Sequence, residues 1–405
     1  MKTGPYNGAV VWRRWMVAAA IVSLALAAPL WAQTTRVFRD GDAWVEETTG
    51  TVSAGHEFRT STELGSVQVQ GTASQVSYVV RKRSRADSES EARRQFDQLR
   101  IAASKVGDAV VLEGKLMSRS VSRLDANIIV QIPRLTQVVK VETRGGTLAV
   151  SSISGRLTGA TGGGNVKVDT VSGPVKITSG GGNMDASNVT SDLYLQSGGG
   201  NVAVDHANGE VVVKTGGGKV WIGSAGKATI ETGAGNVDVN KCNGDLRAST
   251  GGGNLNLGDV YGSVTAETGG GTVKLGSARG DVRVITGGGA VELMKVGQSA
   301  HVETGGGSIM VQFVAGRTQF KDSMLRTALG NVVVYLPKDL GVDIHASTEM
   351  ANGSGITSAF PELMINSTGG KYGPKSMSAE GMLNGGGPAL RVRTTIGEID
   401  IKRLQ

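Results

Sequence analysis

Apolar and polar residues alternate in short runs through the middle of the chain, and the runs recur at a fixed interval. In the unit TGGGNVKVDTVSGPVKIT, Val166 and Val168 flank Lys167, and Val175 and Ile177 flank Lys176 beyond Gly173. Alternation of period two sends apolar side chains to one face of an extended strand and polar ones to the other. Each unit therefore predicts two short strands. Glycine triplets begin at Gly162, Gly180, Gly198, Gly216, Gly251, Gly269, Gly287 and Gly305, with Gly233-Ala234-Gly235 filling the one gap. The spacing is 18 throughout, apart from one interval of 17 before Gly233, and Gly145-Gly146 marks a partial unit. A fixed period of this size predicts a solenoid. The expected fold is all-β: a β-solenoid of 18-residue two-strand coils with irregular β caps and one short helix in the N-terminal cap. The triplet is expected to make one turn, and a second glycine (Gly173, Gly209, Gly226, Gly244, Gly262, Gly280, Gly316) the other, because glycine takes positive φ without steric cost.

Five buried columns follow. One runs Val166, Met184, Val202, Val220, Val237, Leu255, Val273, Val291, Ile309; a second starts at Val168 and ends at Val311. Two more descend from Val175 and Ile177 and finish at Thr318 and Phe320. The corner column reads Val171, Val189, Ala207, Ala225, Cys242, Val260, Ala278, Val296, Val314, which makes Cys242 a small buried hydrophobe. The 17-residue interval fits if one turn residue is missing between Ala225 and Gly226. Coils about 4.8 Å apart bury one another's faces, so stability comes from length. Asn165, Asn183, Asn201, Asn236 and Asn254, and the Ser or Thr before each triplet, predict polar ladders bonding from coil to coil.

The ends are less regular. Strand-like runs occur at Ser66 to Val69, Val76 to Val80, Ala109 to Leu112 and Ile128 to Ile132. A helix is expected over residues 88–101, with a Ser88/Glu91 capping box and a face of Ala92, Phe96 and Leu99. Residues 351–387 are rich in Gly and Ser and predict a loop insertion. The expected division is 1–32 signal peptide, 33–140 N-terminal β region with the helix, 141–322 solenoid and 323–405 C-terminal β region.

Composition narrows the picture. Aromatics make up 4% of 405 residues, and all six Phe lie outside residues 145–312, so the coils enclose a thin core. Arg13 and Arg14, an apolar run over residues 15–28 and Pro29-Leu30-Trp31-Ala32 read as a signal peptide cleaved before Gln33. Retention as an N-terminal membrane anchor is the alternative; beyond it, no later segment is long and apolar enough to span a membrane. The expected location is the periplasm or the cell surface. The net charge of +7 falls to +4 without Lys2, Arg13 and Arg14, too mild to argue for nucleic acid. The basic run Arg81-Lys82-Arg83-Ser84-Arg85 reads as a solvated strand end, with contact to an anionic surface as its functional reading. A lone cysteine forms no internal disulfide.

A calcium roll needs oxygen ligands in register, but its position holds Lys167, Asp185, Ala203, Trp221, Asp238, Asn256, Lys274, Glu292 and Met310. Glu231, Glu267 and Glu303 share a column two coils apart, about 9.6 Å, a separation open to an inverting carboxylate pair in a carbohydrate-active β-helix enzyme. No aromatic platform accompanies them. His56, His206, His301 and His345 are scattered. The Thr ladder, considered as an ice-binding face, is flanked by those glutamates. No catalytic, cofactor-binding or metal residue is assigned and no cofactor is expected. Tyr194, Trp221 and Tyr261 are the exposed aromatics that could form a contact surface for an envelope component, a glycan or another protein.

The chain resembles the bacterial putative-adhesin family of β-strand-repeat proteins. The resemblance rests on Leu64-Gly65-Ser66-Val67-Gln68-Val69, the triplet coils, Gly330-Asn331-Val332-Val333-Val334-Tyr335-Leu336-Pro337, and Gly385-Gly386-Gly387-Pro388 through Thr394-Thr395-Ile396-Gly397-Glu398-Ile399-Asp400-Ile401. It implies the solenoid fold and an adhesin-like role and supplies no catalytic motif; with the signal peptide, the expectation is an exported structural or interaction protein.

Overall fold

The computed structural model describes residues 32–118, 123–316, 319–351, 353–369 and 375–404. Residues 1–31 of the expected signal peptide 1–32, and Thr318, lie outside them. The molecule is a β-solenoid. Two sheets of 18 strands each face one another across a long apolar core running from Val52 to Ile401, and a smaller cluster of Ala86, Ala92, Phe96, Leu99, Leu124 and Ala126 lies at the helix. In the repeat, each coil gives one strand to each sheet, and equivalent residues of successive coils pair in parallel: Val166 with Met184, Val175 with Leu193. All five columns are buried through the regular coils, with Cys242 fully inside the corner column. The short coil keeps its register: Val220 pairs with Val202, Ala228 with Val211, and Gly226 N–H bonds back to Ala207 O.

The glycines earn their positions differently from the expectation. No triplet glycine from Gly162 to Gly307, and no second-turn glycine, has a positive φ. The reason is the neighbouring coil. A Cβ on Gly180 would lie 1.9 Å from Gly162 O, and one on Gly182 would lie 2.0 Å from Gly164 O. The middle glycine, Gly181, has nothing within 4 Å. First and third glycines let one turn nest on the next, and Ala234 shows that the middle position accepts a side chain. Left-handed backbone appears instead at the opposite corner, at Ser152, Thr170, Asn188 and Lys295.

The polar ladders bond to backbone rather than to each other. Each Asn accepts from the next coil's N–H, as Asn183 N donates to Asn165 Oδ1 at 3.0 Å. Each Ser or Thr hydroxyl donates to the preceding coil's triplet and accepts from its own.

The array does not end at Ala315. A register shift after Leu293 puts Phe313, not Val314, opposite Val296, and leaves Val314 44% exposed. The next coil resumes five residues late, so His301 pairs with Met324, and Ser323 and Leu325 take the places expected for Thr318 and Phe320. Phe320 is buried, but as an edge-on partner of Phe313 at 5.2 Å. The extra length permits a phenyl pair where the regular coil has no room.

Both ends are interleaved. Strands Glu57–Thr62 and Ser66–Ala73 form a coil held between later ones, pairing with Ala109–Leu116 and Val138–Thr143 in one sheet and with Leu124–Pro133 and Leu148–Ile153 in the other. Ala389–Ile396 and Ile399–Arg403 likewise enter between Ser323–Leu329 and Val342–Met350, and between Val332–Leu336 and Ile356–Ser358. Antiparallel strands complete each end.

The helix is shorter than expected, Glu89–Phe96, with Ser88 Oγ accepting from Glu91 N. Leu99 stays buried beside Phe96 but belongs to strand Leu99–Val106, which hairpins through Gly107 and Asp108 onto Ala109–Leu116. The two-residue turn, with Gly107 at φ 60°, favours the hairpin over a longer helix. Residues 351–387 are not a plain loop either: Ile356–Ser358, Met364–Gly369 and Lys375–Leu383 are strands, the last two an antiparallel pair.

Candidate functional site

Register controls the outer faces. Side chains 17 or 18 residues apart stand side by side, and charges pair between neighbouring coils either directly across or on the diagonal. Lys214 meets Glu231 at 2.8 Å, Lys219 meets Asp238 at 2.7 Å, Arg247 meets Glu267 at 3.6 Å and Lys274 meets Glu292 at 3.4 Å.

The three aromatics do not share a surface. Tyr194 is half-buried on one sheet, in register between Lys176 and Val212, with Lys176 Nζ 5.4 Å from the ring centroid and its hydroxyl donating to Gln196 Oε1 at 2.9 Å. Trp221 is half-buried on the other sheet between Ala203 and Asp238, so the two rings look outward from opposite sheets. Tyr261 is 40% exposed beyond the corner column, with Lys241 Nζ 5.3 Å and Arg279 Cζ 4.2 Å from its ring centroid.

The glutamate column is where the period puts it. Ser249 and Ile285 separate Glu231, Glu267 and Glu303, and the first two are engaged by Lys214 and Arg247. The histidines stay apart: His56 bonds Asp108, His206 bonds Ser224, and His345 stands 3.8 Å from Glu380. The His56 hydrogen bond holds the Asp108 carboxyl below the usual carboxylate range. Among the described residues, no group of three or more His, Cys, Asp or Glu could hold a metal ion, and no helix is long and apolar enough to cross a membrane.

The basic run divides by strand alternation. Arg81 and Arg83 point outward, whereas Lys82 turns inward to Phe96 O at 3.0 Å and Glu46 at 2.7 Å. Outside, Arg36 and Arg81 clamp the buried Glu47 carboxylate, and the hydrogen bonds from Arg81 and then Arg36 lower its pKa. Arg83 and Arg85 share Asp42 at 3.2 Å each. The run is thus largely committed to the fold.

Sequence reasoning passed over the corner beside Tyr261. A groove of about 450 Å³ there is lined by Asp259, Tyr261, Ser277, Arg279, Lys295 and Val314, among others. The outward columns at this corner carried the signal, Lys241-Asp259-Ser277-Lys295 alongside Asn243-Tyr261-Arg279.

No curated protein matches this chain. A "putative cell adhesion protein" from Clostridium sporogenes ATCC 15579 aligns at 10% identity over 92% of this chain and 100% of its own, with a TM-score of 0.18. A "putative adhesin" from Parabacteroides distasonis ATCC 8503 aligns at 10% identity over 72% of this chain and 95% of its own, with a TM-score of 0.29. Scores this low add nothing to the fold or function argued from the chain itself. The family model described as Toastrack DUF4097 matches residues 61–285, which takes in the early interleaved coil and most of the regular array. With more than half of its length matched and its repeat laid out as a β-solenoid, the chain belongs to the Toastrack DUF4097 family.

Proposed function

We propose that the protein is an exported, non-enzymatic, adhesin-like structural or interaction protein of the periplasm or cell surface. The observation that carries this reading is the pair of outer faces. They are locked in register over a filled core from Val52 to Ile401, so side chains repeat at about 4.8 Å on a stiff support suited to lining up with an extended partner. The apolar segment over residues 15–28 with Arg13 and Arg14 before it supports export. In this reading the strands of 33–140 and 323–405 serve as ends of the array.

The test pairs binding with turnover. The full chain is screened against a panel of bacterial envelope glycans, and each mixture is assayed for released reducing ends. Reversible binding without release is expected. Catalytic release of reducing ends would overturn the non-enzymatic reading. Fractionation with intact-mass analysis checks export: a cytoplasmic chain of full mass would contradict it.

A further inference from the structure

The corner groove differs in charge from the faces beside it. Lys241, Arg279 and Lys295 form no ion pair among the described residues, whereas Lys214, Lys219, Arg247 and Lys274 on the adjoining faces pair between coils. One acid is close, Asp259, and it accepts from Ser277 Oγ at 2.7 Å. Lys241, Asp259, Ser277 and Lys295 occupy one column over four coils, so the cations are spread along about 14 Å of the stack. Asp259 and the Tyr261 ring answer part of this charge, and three cations against one acid leave the corner net positive.

Two further features shape the groove. Lys295 has a φ of 51°, the left-handed conformation that Ser152, Thr170 and Asn188 also take at this corner position, so the turn itself sets the backbone there and Lys295 adds the charge. The groove is also bounded by apolar surface. The register shift brings out Val314, and Tyr261 is 40% exposed with the Arg279 guanidinium over its ring.

We propose that this corner binds an acidic polysaccharide, with carboxylates against Arg279 and Lys295 and a sugar ring's C–H face against Tyr261 and Val314. This deepens the proposed function, on which it rests, by naming the partner class.

The full chain is titrated by isothermal calorimetry with polygalacturonate, uncharged dextran and duplex DNA. Polygalacturonate binding is expected at low salt, falling steeply as the screening length drops from about 10 Å at 0.1 M toward about 3 Å at 1 M. Arg279→Gln with Lys295→Asn, which preserves the backbone preference at 295, should weaken binding about tenfold or more, whereas Lys295→Arg keeps it. Lys274→Ala, on the flat face, removes one charge elsewhere and should change affinity by less than about twofold. Unchanged melting temperatures establish that the variants fold. Equal binding of dextran or DNA, no binding of polygalacturonate, or equal weakening by Lys274→Ala would overturn the proposal. Binding that ignores the corner variants sinks this inference alone, whereas release of reducing ends sinks the non-enzymatic reading.

Discussion

Thr250 Oγ1 donates to Gly235 O of the coil before it at 2.8 Å and accepts from Gly253 N of its own turn at 3.2 Å. Thr250 is 6% exposed, so neither backbone group has ready access to water once the hydroxyl is gone. The arrangement recurs from Thr161 to Thr304, joining each turn to the next. Thr250→Val keeps the shape and strands both groups; it should cost about 1–3 kcal/mol. Thr250→Ser keeps the hydroxyl and should cost less than about 1 kcal/mol. Urea unfolding of the pair checks this, and equal losses would show that volume, not the hydrogen bond, matters.

Cys242 tests the corner column. Its Sγ is enclosed between the Ala225 and Val260 coils, and burial pushes its thiol pKa up. The folded protein should not react with a thiol reagent at pH 8, and the urea-unfolded chain should react fully. The raised pKa also sets a sign. The folded state favours the protonated thiol, so its contribution is complete below the unfolded pKa of about 8.5 and is lost as pH rises toward the higher folded value. Cys242→Ala should remove that alkaline loss, measured as the slope of stability between pH 8 and 10.

Glu57 has the opposite sign. The hydrogen bond from Arg59 at 2.7 Å, helped by Lys140 at 3.2 Å, holds its carboxyl at about 2. Its contribution is present above the usual carboxylate range near 4.3 and is lost as pH falls toward 2. Glu57→Gln should flatten the acid limb of a pH–stability curve in that window. An unchanged limb would mean the cluster does not couple to folding.

The outer edge strand Met364–Gly369 carries no charge and exposes Met364 and Ile365. The corresponding edges Ala32–Asp40 and Leu99–Val106 carry Arg36, Arg39, Arg100 and Lys105. Unguarded edges template pairing with other chains. Ile365→Lys should reduce light scattering on heating, with little change in melting temperature.

Much of this was legible because the repeat samples each position about nine times, so an inward column such as Val166 to Ile309 announces itself. Non-local placement was not legible. Nothing in Ser66 to Val69 says that Leu148–Ile153 will lie beside it, or that the last strands will enter the stack rather than finish it. The five added residues before Ser323 misled the columns because Val314 and Phe320 fit the period as well as the true occupants do. Leu99 fitted both a helix face and a strand, and the Gly107 turn decided between them. In the outward columns Tyr194 and Trp221 looked equivalent to Tyr261, because sheet membership, rather than residue type, separates their surroundings.

The central claim is that turns nest so closely that only particular glycines are obligatory. Unfolding of Gly181→Ala and Gly182→Ala, adjacent in one turn, tests it most directly. A Cβ at Gly181 meets nothing within 4 Å, whereas one at Gly182 falls 2.0 Å from Gly164 O. The predicted result is a Gly181→Ala protein within about 0.5 kcal/mol of the parent, or slightly more stable, and a Gly182→Ala protein destabilised by more than about 2 kcal/mol. Equal effects of the two substitutions would contradict the account.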